Sequence, residues 1–125
     1  MATFYTLDRA NERIPELDEM LTVLRAQRDE LRELKTAFEA TEPADDQRRI
    51  RLRMQGLVDQ MQASVARIDG WSITLRDIDT GLVDFPALVS GRQVWLCWQL
   101  GEGSIAWWHE LDDGFGGRRS LIELA

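Results

Sequence analysis

Apolar side chains recur at two different periods along this chain, and the period changes at Gly70. Before it, Leu17, Leu24, Leu31 and Phe38 stand seven residues apart, with Met20, Gln27 and Leu34 at the intervening position. That spacing places them on one face of a helix and forms the a/d seam along which helices pair as a coiled coil. Thr6 offers a hydroxyl N-cap. Pro15, followed by Glu16, Asp18 and Glu19, predicts a kink in preference to a second helix start, because proline lacks the amide proton a helix interior uses, although acids suit a helix start. Pro43 interrupts the pattern within residues 40–46, Asp45 is a candidate cap, and Ile50, Met54, Leu57, Met61 and Ile68 restart it. The pattern predicts an antiparallel helical hairpin over residues 6–69. Its first helix would extend about 39 Å from Pro15 to Ala40, further than a small sheet is wide, so part of the seam is expected to project and invite a partner.

Gly70 is expected to stop the second helix in a left-handed conformation, and beyond it "WSITLRDID", "RQVWLCWQL" and "SIAWWHEL" alternate apolar and polar positions as strands do. If Glu102 and Gly103 form a two-residue hairpin turn, Leu100 pairs with Ile105, Trp98 with Trp107, Leu96 with His109 and Val94 with Leu111. This register gathers the strongly apolar residues on one face, His109 among them. Trp95, Trp108 and Cys97 fall on the other, where the helical hairpin is expected to cover them. The expected architecture is α+β: one domain over residues 1–125, with the helical hairpin packed on a small antiparallel sheet in a Trp-rich β-subdomain over residues 70–125.

Composition narrows the functional classes. A formal net charge of -7 argues against nucleic acid or an anionic membrane as partner, since both require a positive surface. Cys97 and His109 are the single residues of their types, which excludes an intrachain disulfide, a CxxC redox centre and a four-ligand zinc knuckle. A lone cysteine fits a reducing compartment. The start "MATFYTLDRANE" lacks the basic and apolar regions of a signal peptide, and "VWLCW" is too short to span a bilayer, so a soluble cytoplasmic protein is expected.

Few segments carry candidate chemistry. His109 reads as a half-buried histidine that could serve as ligand or proton carrier, and the strand alternation places Cys97 on the opposite face, which disfavours a Cys–His nucleophilic pair. "DIDTGLVDF" fails as an EF-hand because Leu82 and Leu88 occupy the positions of the required glycine and glutamate; it reads as a strand end and a turn at Thr80 and Gly81. Asp84, inside an apolar run and just before the extended Phe85–Pro86 step, is either an edge charge or a paired, partly buried carboxylate. "DDGFGGRRS" is no dinucleotide fingerprint, since Arg119 replaces the third glycine; it reads as a glycine turn, with an anion nest at Arg118 and Arg119 as the alternative. The arginines of "QRRIRLR" are expected to face solvent around Ile50 and pair with acids.

Taken together, "FYTLDRANERIPEL", "DIDTGLVDFPAL", "GRQVWLCWQLGE" and "WWHELDDGFGGRR" resemble the bacterial family catalogued as domain of unknown function 2203, over essentially the whole chain. The resemblance implies a helical hairpin of variable sequence before a tryptophan-rich part, and places Asp79, Asp84, Glu102, His109 and Arg118 in its recurring segments. It supplies no activity and no cofactor. The first expectation is therefore an interaction module that self-associates or binds a protein partner through its hairpin. The alternative is a divalent-metal or anionic small-molecule site, hydrolytic in one version, built from Asp84, Glu102, His109 and Arg118.

Overall fold

The computed structural model describes residues 3–41 and 44–124. Two helices come first, α1 (Leu7–Ala40) and α2 (Ala44–Gly70). The Thr6 hydroxyl caps α1 by accepting from the Arg9 amide, and the helix continues unbroken through Pro15, which is therefore an interior proline rather than a second start. Ion pairs and hydrogen bonds from Glu16 to Arg67, Gln27 to Gln60 and Glu30 to Arg53 run up one helix and down the other, so the pair is antiparallel. Ala10, Leu17, Leu21 and Leu24 are buried, whereas Leu31, Leu34 and Phe38 are only partly covered. Burial is thus concentrated in the half of α1 nearest the sheet.

Two local expectations change at the ends of α2. The helix already includes Asp45 as its second residue, so Asp45 is not the cap. At the other end Gly70 is still helical, and Ser72 takes the left-handed conformation (φ 62°) after the Trp71 and Ser72 amides close on Ile68 and Asp69. Glycine is preferred in that conformation because it has no Cβ, yet a single serine is tolerated.

Five antiparallel strands follow in simple spatial order: β1 (Thr74–Asp77), β2 (Leu82–Val89), β3 (Arg92–Gln99), β4 (Trp107–His109) and β5 (Arg119–Ser120). The first alternating segment supplies only the four residues of β1. The Asp77 carboxylate closes the following turn by accepting from the amide and hydroxyl of Thr80, which holds its carboxyl below the usual range. β2 and β3 are joined by Ser90 (φ 52°) and Gly91 (φ 78°), a two-residue turn with both central residues left-handed, which matches the twist of the strands it joins. Pro86 is accommodated in β2 because β1 pairs only with Leu82 to Asp84; its carbonyl accepts instead from the Tyr5 amide.

The β3–β4 register differs by one residue from the expected one. Trp95 pairs with His109, Leu96 with Trp108 and Cys97 with Trp107. The connection is not a two-residue turn: Gly101 (φ 97°) follows Leu100, the Glu102 amide donates to Gln99, and the Trp98 indole holds the Gly103 carbonyl. Ile105 then dips into the core, its amide held by the Asn11 side chain, and pairing resumes only at Trp107. A slip of one residue turns every side chain of β4 over.

Consequently Val83, Phe85, Ala87, Val94, Leu96, Trp98 and Trp108 form the face that packs with Leu17, Leu21, Leu24 and Ile68 of the helices. The helices therefore cover Trp98 and Trp108, not the face of Cys97 and Trp95 as expected. His109 turns to that second face and is fully buried rather than half-buried, with 2% of its surface exposed. No helix among the described residues is long and apolar enough to cross a membrane.

Candidate metal centre

The Ser90–Gly91 hairpin sets Asp84 directly opposite Cys97, and the β3–β4 register brings His109 to the same face beside Trp95. Side chains alternate along a strand, so paired residues share a face. Asp84, Cys97 and His109 are all buried, and one oxygen, the sulfur and one ring nitrogen lie within 4.8 Å of one another. Cys97 and His109 are thus neighbours, contrary to the expectation from strand alternation, which assumed the other register.

Hydrogen bonds define the state of each group. His109 Nδ1 lies 2.8 Å from the Glu110 carbonyl, which can only accept, so Nδ1 carries a proton and donates. Nε2 then faces Asp84 Oδ1 at 3.0 Å, with one proton between them. The other carboxylate oxygen accepts from Arg76 Nε at 2.9 Å, and the Arg76 guanidinium stacks over Trp95, 5.1 Å from the ring centroid. Burial, reinforced by the neighbouring Asp84 charge, pushes the Cys97 thiol up to about 12. With both imidazole nitrogens engaged elsewhere and the thiol held protonated, Cys97 is not an activated nucleophile.

A cleft of about 220 Å³ opens over the cluster, walled by Leu82, Leu111 and Phe115 and bearing Arg76 and Asp113 as further polar groups. Of the four residues singled out from sequence, Asp84 and His109 meet at this cleft. Glu102 and Arg118 form a separate pair: Arg118 Nη2 donates to both carboxylate oxygens at 2.7 and 2.9 Å, and Glu102 Oε1 also accepts from the Gln99 amide. The Arg118 guanidinium lies over Trp107 and Phe115, 5.0 and 4.6 Å from their centroids. This pair closes the Leu100–Ala106 connection against β5 and does not line the cleft. Asp79 lies elsewhere again, paired with Arg28 and Arg32 of α1.

Sequence reasoning missed Arg76 and dismissed Cys97. A signal for Cys97 was present: Ser-Gly between two apolar runs marks a two-residue hairpin, and that turn alone sets residue 84 against residue 97. Arg76 had no such signal. It sits at an irregularity where the β1–β2 pairing shifts between Leu75 and Asp77, and such bulges redirect side chains without a local sequence mark.

The chain finds no match among curated proteins or solved structures. The family described as "Uncharacterized conserved protein", domain of unknown function 2203, matches residues 3–121. A match over nearly the whole length, through helices and sheet alike, shows that the chain belongs to that family.

Proposed function

We propose that this protein binds one divalent transition metal of the zinc class through Asp84 Oδ1, Cys97 Sγ and His109 Nε2. The observation that carries this reading is the convergence of three different donor atoms within 4.8 Å in a buried site. A mixed oxygen, nitrogen and sulfur set suits zinc, cobalt or iron and disfavours magnesium and calcium, which prefer oxygen alone. The groups behind the donors support it. The Glu110 carbonyl fixes the imidazole tautomer through Nδ1, the orienting contact that metal-bound histidines typically have, and Arg76 orients the carboxylate from behind.

Metal binding exchanges two protons for one cation: the proton shared by Nε2 and Oδ1, and the thiol proton. Three protein ligands leave a fourth position facing the cleft, the open arrangement that supports hydrolytic chemistry on a small ligand. We place the protein in the reducing cytoplasm, where a lone thiol remains available as a ligand.

Titration of the metal-free protein with cobalt(II) tests the reading. A thiolate-to-cobalt charge-transfer band in the near ultraviolet, saturating at one equivalent and absent from Cys97→Ala, is the expected result. No band, together with a thermal midpoint unmoved by zinc or cobalt, would overturn it.

A further inference from the structure

We infer that a second copy of this chain packs against the apolar trough formed by α2, the outer half of α1 and the β1 segment, related by a two-fold axis near Leu31 and Val58. Two adjoining hollows, about 540 and 410 Å³, share those two residues and so form one continuous surface. Met61, Val65, Ile73 and Ile78 line one end, and Phe38 and Met54 line the other. Of these, Phe38, Met54, Met61 and Val65 are helical positions that the hairpin leaves only partly covered, while Ile73 is buried.

Charge at the rim selects the occupant. Lys35 and Arg51 border the outer end of the trough and Asp69 borders the inner end, about 27 Å from Arg51 along α2 at the helical rise. None of the three forms an ion pair among the described residues, although Arg28, Arg32, Arg53 and Arg67 nearby all do. A two-fold axis through the middle of the trough sets the basic end of one copy over the acidic end of the other. The same surface patch then serves both copies, as closed symmetry requires. A copy seated there also shields β1, which is an edge strand of the sheet among the described residues, so the dimer covers a site of unwanted strand addition.

Sedimentation of the full-length chain across a concentration series tests this. A monomer–dimer equilibrium is expected, and reversing the basic end with Lys35→Glu and Arg51→Glu should weaken the dimer about tenfold or more. Adding Asp69→Arg to that variant should restore it. Val58→Glu, at the centre, should give monomer with an unchanged helical spectrum. All four side chains lie at or near the surface, and the restoring variant separates lost pairing from lost folding. A strictly monomeric chain up to roughly 100 µM overturns the proposal. So does a dimer indifferent to charge reversal, or one weakened by reversal and not restored by Asp69→Arg.

Discussion

His109 on β4 reaches Asp84 on β2 across the intervening strand, with Nε2 and Oδ1 3.0 Å apart over Cys97. Strands two apart in a sheet are separated by about 9.6 Å, so only long polar side chains leaning together can meet there. Both residues are almost wholly buried, at the floor of the cleft. The contact ties three strands together on the face the helices leave uncovered, and it decides both the stability and the chemistry of that face.

Removing the carboxylate strands its partners. Asp84→Ala leaves the His109 ring buried without its acceptor, whereas Arg76, about half-exposed, can turn to solvent. The expected loss is about 3–5 kcal/mol, in the range for breaking a buried charged pair from one side. Urea denaturation of Asp84→Ala and Arg76→Gln compares them directly, and the arginine variant should lose much less.

Alkaline pH should destabilise the protein through Cys97. The thiol is raised to about 12 in the folded chain from an ordinary value of 9.0, so between those values the unfolded chain releases a proton that the native chain keeps. Stability is therefore unaffected by this group below about pH 9 and falls as pH rises beyond it. Stability curves of the native protein and Cys97→Ala should converge in shape below that pH and diverge above it. Iodoacetamide should modify native Cys97 slowly at neutral pH; rapid labelling would contradict the burial and the protonated thiol together.

Metal uptake should acidify a weakly buffered solution by about two protons per zinc ion bound, from the imidazole–carboxylate bridge and the thiol. Cys97→Ser keeps the shape of the site and replaces the soft donor by a hard one. Its zinc affinity should fall by about tenfold or more, with fold stability altered by no more than about 1–2 kcal/mol. Isothermal titration in two buffers of different ionisation enthalpy measures both quantities.

Gly81 and Gly103 offer a paired test of the turns. At Gly81 φ is +66°, and an added Cβ would lie 2.5 Å from Leu100 Cβ, while at Gly103 nothing lies within 4 Å. Gly81→Ala should cost about 2 kcal/mol or more from left-handed strain and the clash combined. Gly103→Ala should cost well under about 1 kcal/mol. Thermal melts of the two variants discriminate between them.

Much of the architecture is legible without coordinates. Leu17 and Leu24 mark the buried face of α1 because a helix repeats its environment every few residues, and that period is local. The Thr6 cap, the Thr80–Gly81 turn and the Arg49–Asp46 ion pair follow from equally local chemistry, whereas Arg53 finds its acid, Glu30, only across the hairpin. Asp84 was confined to two readings by its apolar flanks, and burial with Arg76 and His109 selects the paired one.

The face on which His109 sits could not be read the same way. It depends on whether the Leu100–Ala106 connection contributes an odd or an even offset, and that is decided by Ile105 entering the core, Asn11 holding its amide and Trp98 binding the Gly103 carbonyl. Those contacts join residues distant along the chain or packed only after folding. Local alternation determines that Trp107, Trp108 and His109 form a strand, and only tertiary packing determines which way they point. Because a strand's side chains change sides at every residue, that one offset placed the imidazole with Cys97 and Asp84 instead of with Leu96.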